Sequence, residues 1–78
     1  MEALDLRGVT CPANYVRVRV ALEPLIPGEE IEALIDAGEP VQNVPRSLRD
    51  DGEHIVALTA EGDHYRLRVR KGEGADGW

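Results

Sequence analysis

Residues 7–14 read Arg-Gly-Val-Thr-Cys-Pro-Ala-Asn, and Cys11 within them is the only cysteine of the 78-residue chain. A lone thiol has two uses. It can fill a core as a small hydrophobe, as free cysteine often does. It can also work as a nucleophile if its surroundings favour the thiolate. Pro12 bears on the choice, because proline suits the first helical position, where a missing N–H costs nothing. A helix beginning at Pro12 makes Cys11 its N-cap, next to unpaired backbone N–H groups and the positive end of the helix dipole. Both stabilise a thiolate. The preceding loop runs over the surface on ordinary grounds and would expose the sulfur.

The chemistry open to one thiol is narrow. Acyl transfer needs a base beside the nucleophile. The candidates are His54 and His64, and nothing in the sequence ties either to Cys11. Thioredoxin-like exchange uses a second cysteine at the place where Asn14 stands. A carrier needs neither, since one exposed thiolate can hold a sulfane sulfur as a persulfide and pass it on. The other open reading is a non-catalytic regulatory or protein-interaction module with an inert cysteine.

The elements that must position Cys11 follow from hydrophobic spacing. Residues 2–6 read as a short first strand with Leu4 and Leu6 on one side, and Gly8 allows a turn. Residues 11–25 are two-sided. Val-Arg-Val-Arg-Val at 16–20 alternates like a strand, while Tyr15, Val18, Leu22 and Leu25 recur at helical spacing. With Pro12 in front, a helix is favoured, with Arg17, Arg19 and Glu23 toward solvent and Pro24 at its end. Pro27-Gly28 marks a turn, and residues 30–35 read as a second strand. A loop at 36–40 leads to a second helix over 41–49, with Val41, Val44 and Leu48 on its apolar face. Pro45 predicts an irregular first turn or a helix starting near Val44. Residues 54–59 and 64–70 form a hairpin about Glu61-Gly62-Asp63. In the last strand Tyr65, Leu67 and Val69 share one face and Arg66, Arg68 and Arg70 the other.

The order β-α-β-α-β-β predicts an α/β (α+β) two-layer sandwich, with two helices on one face of a four-stranded mixed sheet. Residues 1–71 make a single domain, and 72–78, ending in Trp78, a flexible tail.

A net charge of -6 argues against non-specific nucleic-acid binding, though it leaves room for a small basic patch. One cysteine supports no internal disulfide and no metal knuckle, and no cofactor is implied. Charges in the first residues and the lack of an apolar run near ~20 residues point to a cytoplasmic protein, away from the membrane.

The stretch Leu4-Asp5-Leu6-Arg7-Gly8-Val9-Thr10-Cys11-Pro12-Ala13-Asn14 resembles the signature of the TusA/SirA-like sulfur-carrier family, in which Cys-Pro-x-Pro stands where this chain has Cys-Pro-x-Asn. The likeness runs over about residues 3–71, through Ala21-Leu22, Pro27-Gly28, Asp36, Val44-Pro45, Gly52 and residues 65–71. It implies the same sandwich and a helix over Val16–Val20. It also implies a carrier of sulfane sulfur on Cys11 rather than a stand-alone enzyme. Such a carrier is loaded by a cysteine desulfurase or rhodanese-like donor and unloaded by a downstream acceptor protein. The acceptors serve tRNA thiolation, molybdenum-cofactor metabolism or sulfur oxidation.

On this reading Cys11 is the persulfide acceptor and Pro12 shapes the helix start. Asn14, at the third helical position, reaches back toward the N-cap as in a capping box. Asp5, Arg7 and Gly8 support the loop, with an Asp5–Arg7 ion pair as the brace. Arg17 and Arg19 on the first helix, with Arg46 and Arg49 on the second, form a basic docking patch. The carrier is expected to be a monomer.

Overall fold

In the computed structural model, residues 3–72 are described. Strand β1 (Leu4–Asp5) leads to helix α1 (Ala13–Leu22), strand β2 (Glu30–Asp36), helix α2 (Glu39–Asp50) and the hairpin β3 (His54–Glu61) and β4 (His64–Arg70). The sheet order is β1-β2-β4-β3. β1 pairs parallel to β2, and β4 pairs antiparallel to both β2 and β3. The sheet is therefore mixed. β4 is inserted between two parallel strands that α2 connects.

Both helices pack on one face of this sheet, as expected from the alternation in β2 and β4. Ala33, Ile35, Leu67 and Val69 are buried beneath Val18 and Leu22 of α1 and Val44 and Leu48 of α2. Leu6 closes the core from the β1 side. With no Phe, aliphatic side chains make this core.

The other face carries the arginine row, joined into an ion-pair ladder. Arg66 bridges Glu32 and Glu61, Arg68 bridges Glu32 and Glu30, and Arg70 meets Glu30. Hydrogen bonds from Arg68 and then Arg66 hold the Glu32 carboxyl below its usual range.

Several boundaries differ from the sequence expectation. α1 ends at Leu22 because Pro24 stands just beyond the Glu23 cap. α2 begins earlier than expected, at Glu39. Gly38 caps it with φ 93°, a conformation open to glycine, and Pro40 falls in the first turn where it breaks no bond. Pro45 lies well inside the helix, on the buried face, where its ring packs as an apolar residue. β1 covers Leu4–Asp5, so Ala3 and Leu6 fall outside it, and residue 2 of the expected strand lies outside the described residues.

The tail expectation splits. Residues 73–78, including Trp78, lie outside the described residues, but Gly72 is buried and tied down. Its N–H donates to Glu53 Oε1 at 2.7 Å. Beside it, Lys71 N–H donates to Glu29 O at 2.7 Å and Lys71 Nζ to Leu22 O at 3.0 Å.

Candidate functional site: an exposed thiol at a helix start

Cys11 is exposed and sits in the connection from β1 to α1. The connection is short because β1 ends at Asp5 and the chain must cross onto the helix layer. Gly8 makes the turn with φ 81°, where an L side chain would be strained. Its N–H donates to Asp36 Oδ2 at 2.8 Å, which ties the loop to the C-terminal end of β2. Asp5 and Arg7 form an ion pair at 2.9 Å, and Asp5 Oδ1 also accepts from the Arg7 backbone N–H at 3.1 Å. The Arg7 side-chain hydrogen bond is the main cause that brings the Asp5 carboxyl down to about 2.

The helix cap is one residue later than expected. Pro12, not Cys11, is the N-cap of α1, and the Cys11–Pro12 peptide bond is cis. Asn14 N–H donates to Thr10 O at 3.1 Å, and Tyr15 N–H donates to Asn14 Oδ1 at 2.7 Å. Two first-turn donors are thus used within the chain. No capping box forms, because Pro12 offers no N–H for the Asn14 side chain to meet.

Asn14 is instead fully buried, in line with Val18 and Leu22 at four-residue spacing. Its Nδ2 has no partner among the described residues. A buried donor left unpaired costs about 1–3 kcal/mol.

A cleft of about 320 Å³ opens beside the sulfur. Its walls are Gly8, Val9, Thr10 and Cys11 on one side and Asp36, Ala37, Glu39 and Pro40 on the other. Among the described residues, two carboxylates and no cation line it. Asp36 and Glu39 escaped the sequence reading as site residues, yet a signal was present. Parallel β1 and β2 bring their C-terminal ends together, so the residues just after both strands meet. No imidazole lines the cleft. His64 is held by Asp63 and Glu61, and His54 opens β3 at the far edge of the sheet.

The four arginines expected to form a patch divide. Arg19 is drawn inward and pairs with Glu53 and Asp51. Burial lowers its affinity for the proton, but the Glu53 hydrogen bond and the two carboxylates outweigh this and raise its pKa. Arg17, Arg46 and Arg49 are exposed and make no ion pair among the described residues, whereas the other five arginines do. Beside Arg17, Val16 and Val20 lie one turn apart on the outer face of α1 with 47% and 59% exposure. They form a small exposed apolar strip on the helix that follows the thiol.

Comparison with known proteins bears on this arrangement. The family model for sulfurtransferase TusA matches residues 2–71. The chain belongs to the TusA family. A putative sulfur carrier protein of Archaeoglobus fulgidus is 32% identical over 71 residues, covering 90% of this chain and 81% of that protein. A putative sulfur carrier protein of Methanocaldococcus jannaschii is 30% identical, covering 91% and 95%. The crystal structure of a SirA-like protein from Desulfitobacterium hafniense shares the fold, with a TM-score of 0.77 over 94% of this chain and all of that one, at 24% identity. No helix among the described residues of this TusA-family chain is long and apolar enough to cross a membrane.

Proposed function

We propose that this chain is a cytoplasmic sulfur carrier that accepts sulfane sulfur on Cys11 and hands it to a downstream acceptor protein. The observation that carries the reading is the exposure of Cys11 in a cleft without a histidine. An inert core thiol would be covered, and an acyl-transfer nucleophile would have a base.

The transfer needs only the sulfur atoms. The Cys11 thiolate attacks the terminal sulfur of a donor persulfide, supplied by a cysteine desulfurase or a rhodanese-like protein. The donor S–S bond breaks, its cysteine leaves as a thiolate, and a new S–S bond forms on Cys11. Delivery repeats the step with the acceptor's nucleophile attacking the outer sulfur. No net oxidation occurs in either exchange.

The chain's own residues position the thiol. Gly8 with Asp36, and Asp5 with Arg7, hold the loop, and Pro12 turns it into α1. Docking falls to the outer helix surface, where Val16 and Val20 are exposed on the helix that follows the thiol and Arg17, Arg46 and Arg49 keep their charges free for an acidic partner. Arg19 is not part of that surface, because Glu53 holds it. One chain is the transferring unit, acting through a single domain.

Mass spectrometry after incubation with a cysteine desulfurase and cysteine tests the reading. The wild-type chain is expected to gain one sulfur atom, and Cys11→Ala none. An equal gain in both would overturn the assignment.

A further inference from the structure

Among the described residues, the β3 edge of the sheet pairs with no further strand, and it is built differently from the rest of the surface. β1 closes one edge with two residues, which leaves little to pair. β3 forms the other edge with eight residues, and six of them in a row, Ile55 to Ala60, carry no charge. Neither helix covers it: Val56 is 39% and Leu58 is 42% exposed. Long lone edges are usually protected by lysine, proline or a bulge. β3 has no lysine and no proline, and its one irregularity lies between Ile55 and Ala57.

That irregularity gives the strand a self-matching register. Against β4, Ile55 pairs with Val69 and Ala57 with Arg68, so Val56 is the extra residue. Ile55, Leu58 and Ala60 then share the helix side with Val69, Leu67 and Tyr65. His54, Ala57, Thr59 and Glu61 share the open side. An antiparallel copy of β3 centred on Leu58, with Val56 left out of the ladder, matches faces throughout. Leu58 meets its own copy, Ile55 meets Ala60, Ala57 meets Thr59, and His54 meets Glu61 at both ends. The apolar residues fall opposite one another, and the only ionisable ones fall as acceptor against imidazole.

We propose that this edge pairs with β3 of a second copy, joining the two four-stranded sheets across a two-fold axis at Leu58. Cross-strand apolar and complementary polar pairs are what stabilise such ladders. This departs from the monomer expected of the sequence. It is independent of the carrier reading, because Cys11 follows β1 at the opposite edge and stays open in both copies.

Sedimentation equilibrium under reducing conditions tests the pairing. The wild-type chain is expected to reach twice the chain mass as concentration rises. Leu58→Lys, at an exposed position that sets like charges against each other, is expected to remain at the mass of one chain with an unchanged circular dichroism spectrum. His54→Glu is expected to raise the dimer dissociation constant by about tenfold.

The register has its own test. Residues opposed across an antiparallel ladder lie about 4.5–5.5 Å apart at Cα, within disulfide range. In a Cys11→Ser background, Leu58→Cys is expected to form an interchain disulfide on mild oxidation, and Val16→Cys is not. A single-chain mass at every concentration would overturn the proposal. So would a doubled mass that survives Leu58→Lys, or equal cross-linking at the two positions.

Discussion

Among the described residues, Glu53 and Arg19 form the one ion pair in which a carboxylate is almost wholly buried, with 1% of the Glu53 side chain exposed. Arg19 reaches it from α1, and the other Glu53 oxygen accepts from Gly72 N–H. Tyr15, one turn earlier on α1, donates its hydroxyl to Asp51 at the end of α2. The two helices and the end of β4 are thus joined by carboxylates at the pole of the fold away from the thiol.

Removing Arg19 leaves the Glu53 charge buried and half-satisfied. Arg19→Met is expected to lower unfolding free energy by about 3 kcal/mol, and Glu53→Gln, which keeps an acceptor for Gly72, by less. Urea unfolding with fitted midpoints checks the order. A loss below about 0.5 kcal/mol for Arg19→Met would show that solvent compensates the carboxylate.

Gly72 admits no side chain. A Cβ there would collide with the Gly52 carbonyl oxygen. Gly72→Ala is expected to cost about 1–3 kcal/mol through displacement of the backbone, measured as a drop in midpoint without loss of persulfide loading at low temperature.

The acid limb of stability should be steep near the thiol loop. The Asp5 carboxyl is lowered from 3.8 to about 2, and Glu61 and Asp63 are also held low, mainly by hydrogen bonds from Arg66 and His64. A lowered carboxyl contributes stability above its unfolded value, and the contribution disappears as pH falls through the folded value. For Asp5 the window is therefore about pH 4 down to about pH 2. Stability measured across that window should flatten in Asp5→Asn, and an unchanged slope would count against the ion pair.

Neither histidine should serve as a base for Cys11. His54→Ala and His64→Ala are each expected to leave the rate of persulfide gain within about twofold, against the 10²-fold or larger loss typical of a removed general base. Quenched-flow mass spectrometry supplies the rate.

Asn14 offers a test of a costly core amide. Asn14→Leu removes the unpaired Nδ2 and extends the Val18–Leu22 row, at the expense of the bond from Tyr15 N–H. Stability is expected to hold within about 1 kcal/mol or to rise. A loss of about 3 kcal/mol by thermal unfolding would mean that the amide has a partner.

The element order and layer arrangement were legible because apolar residues repeat with the period of the element they belong to. Val18 and Leu22 at helical spacing, and Leu67 and Val69 alternating with arginines, each name one buried face. The same logic missed Asn14, since polarity argues for solvent and only the helix phase placed it beneath α1. It missed Arg19 for the same reason: its partner Glu53 lies 34 residues away, in the turn between α2 and β3, and only the folded chain brings the two together. The helix start was one residue off because proline marks a boundary without saying on which side of it the cap falls.

The sequence by itself determined the β-α-β-α-β-β order, the identity of the single thiol and its place before a helix, because these depend on local chemistry and short-range spacing. Tertiary structure alone decided which carboxylates share the cleft with Cys11, which arginines remain free and which strand forms the long open edge. Those are outcomes of strand order and helix phase, and they bring together residues that the chain keeps far apart.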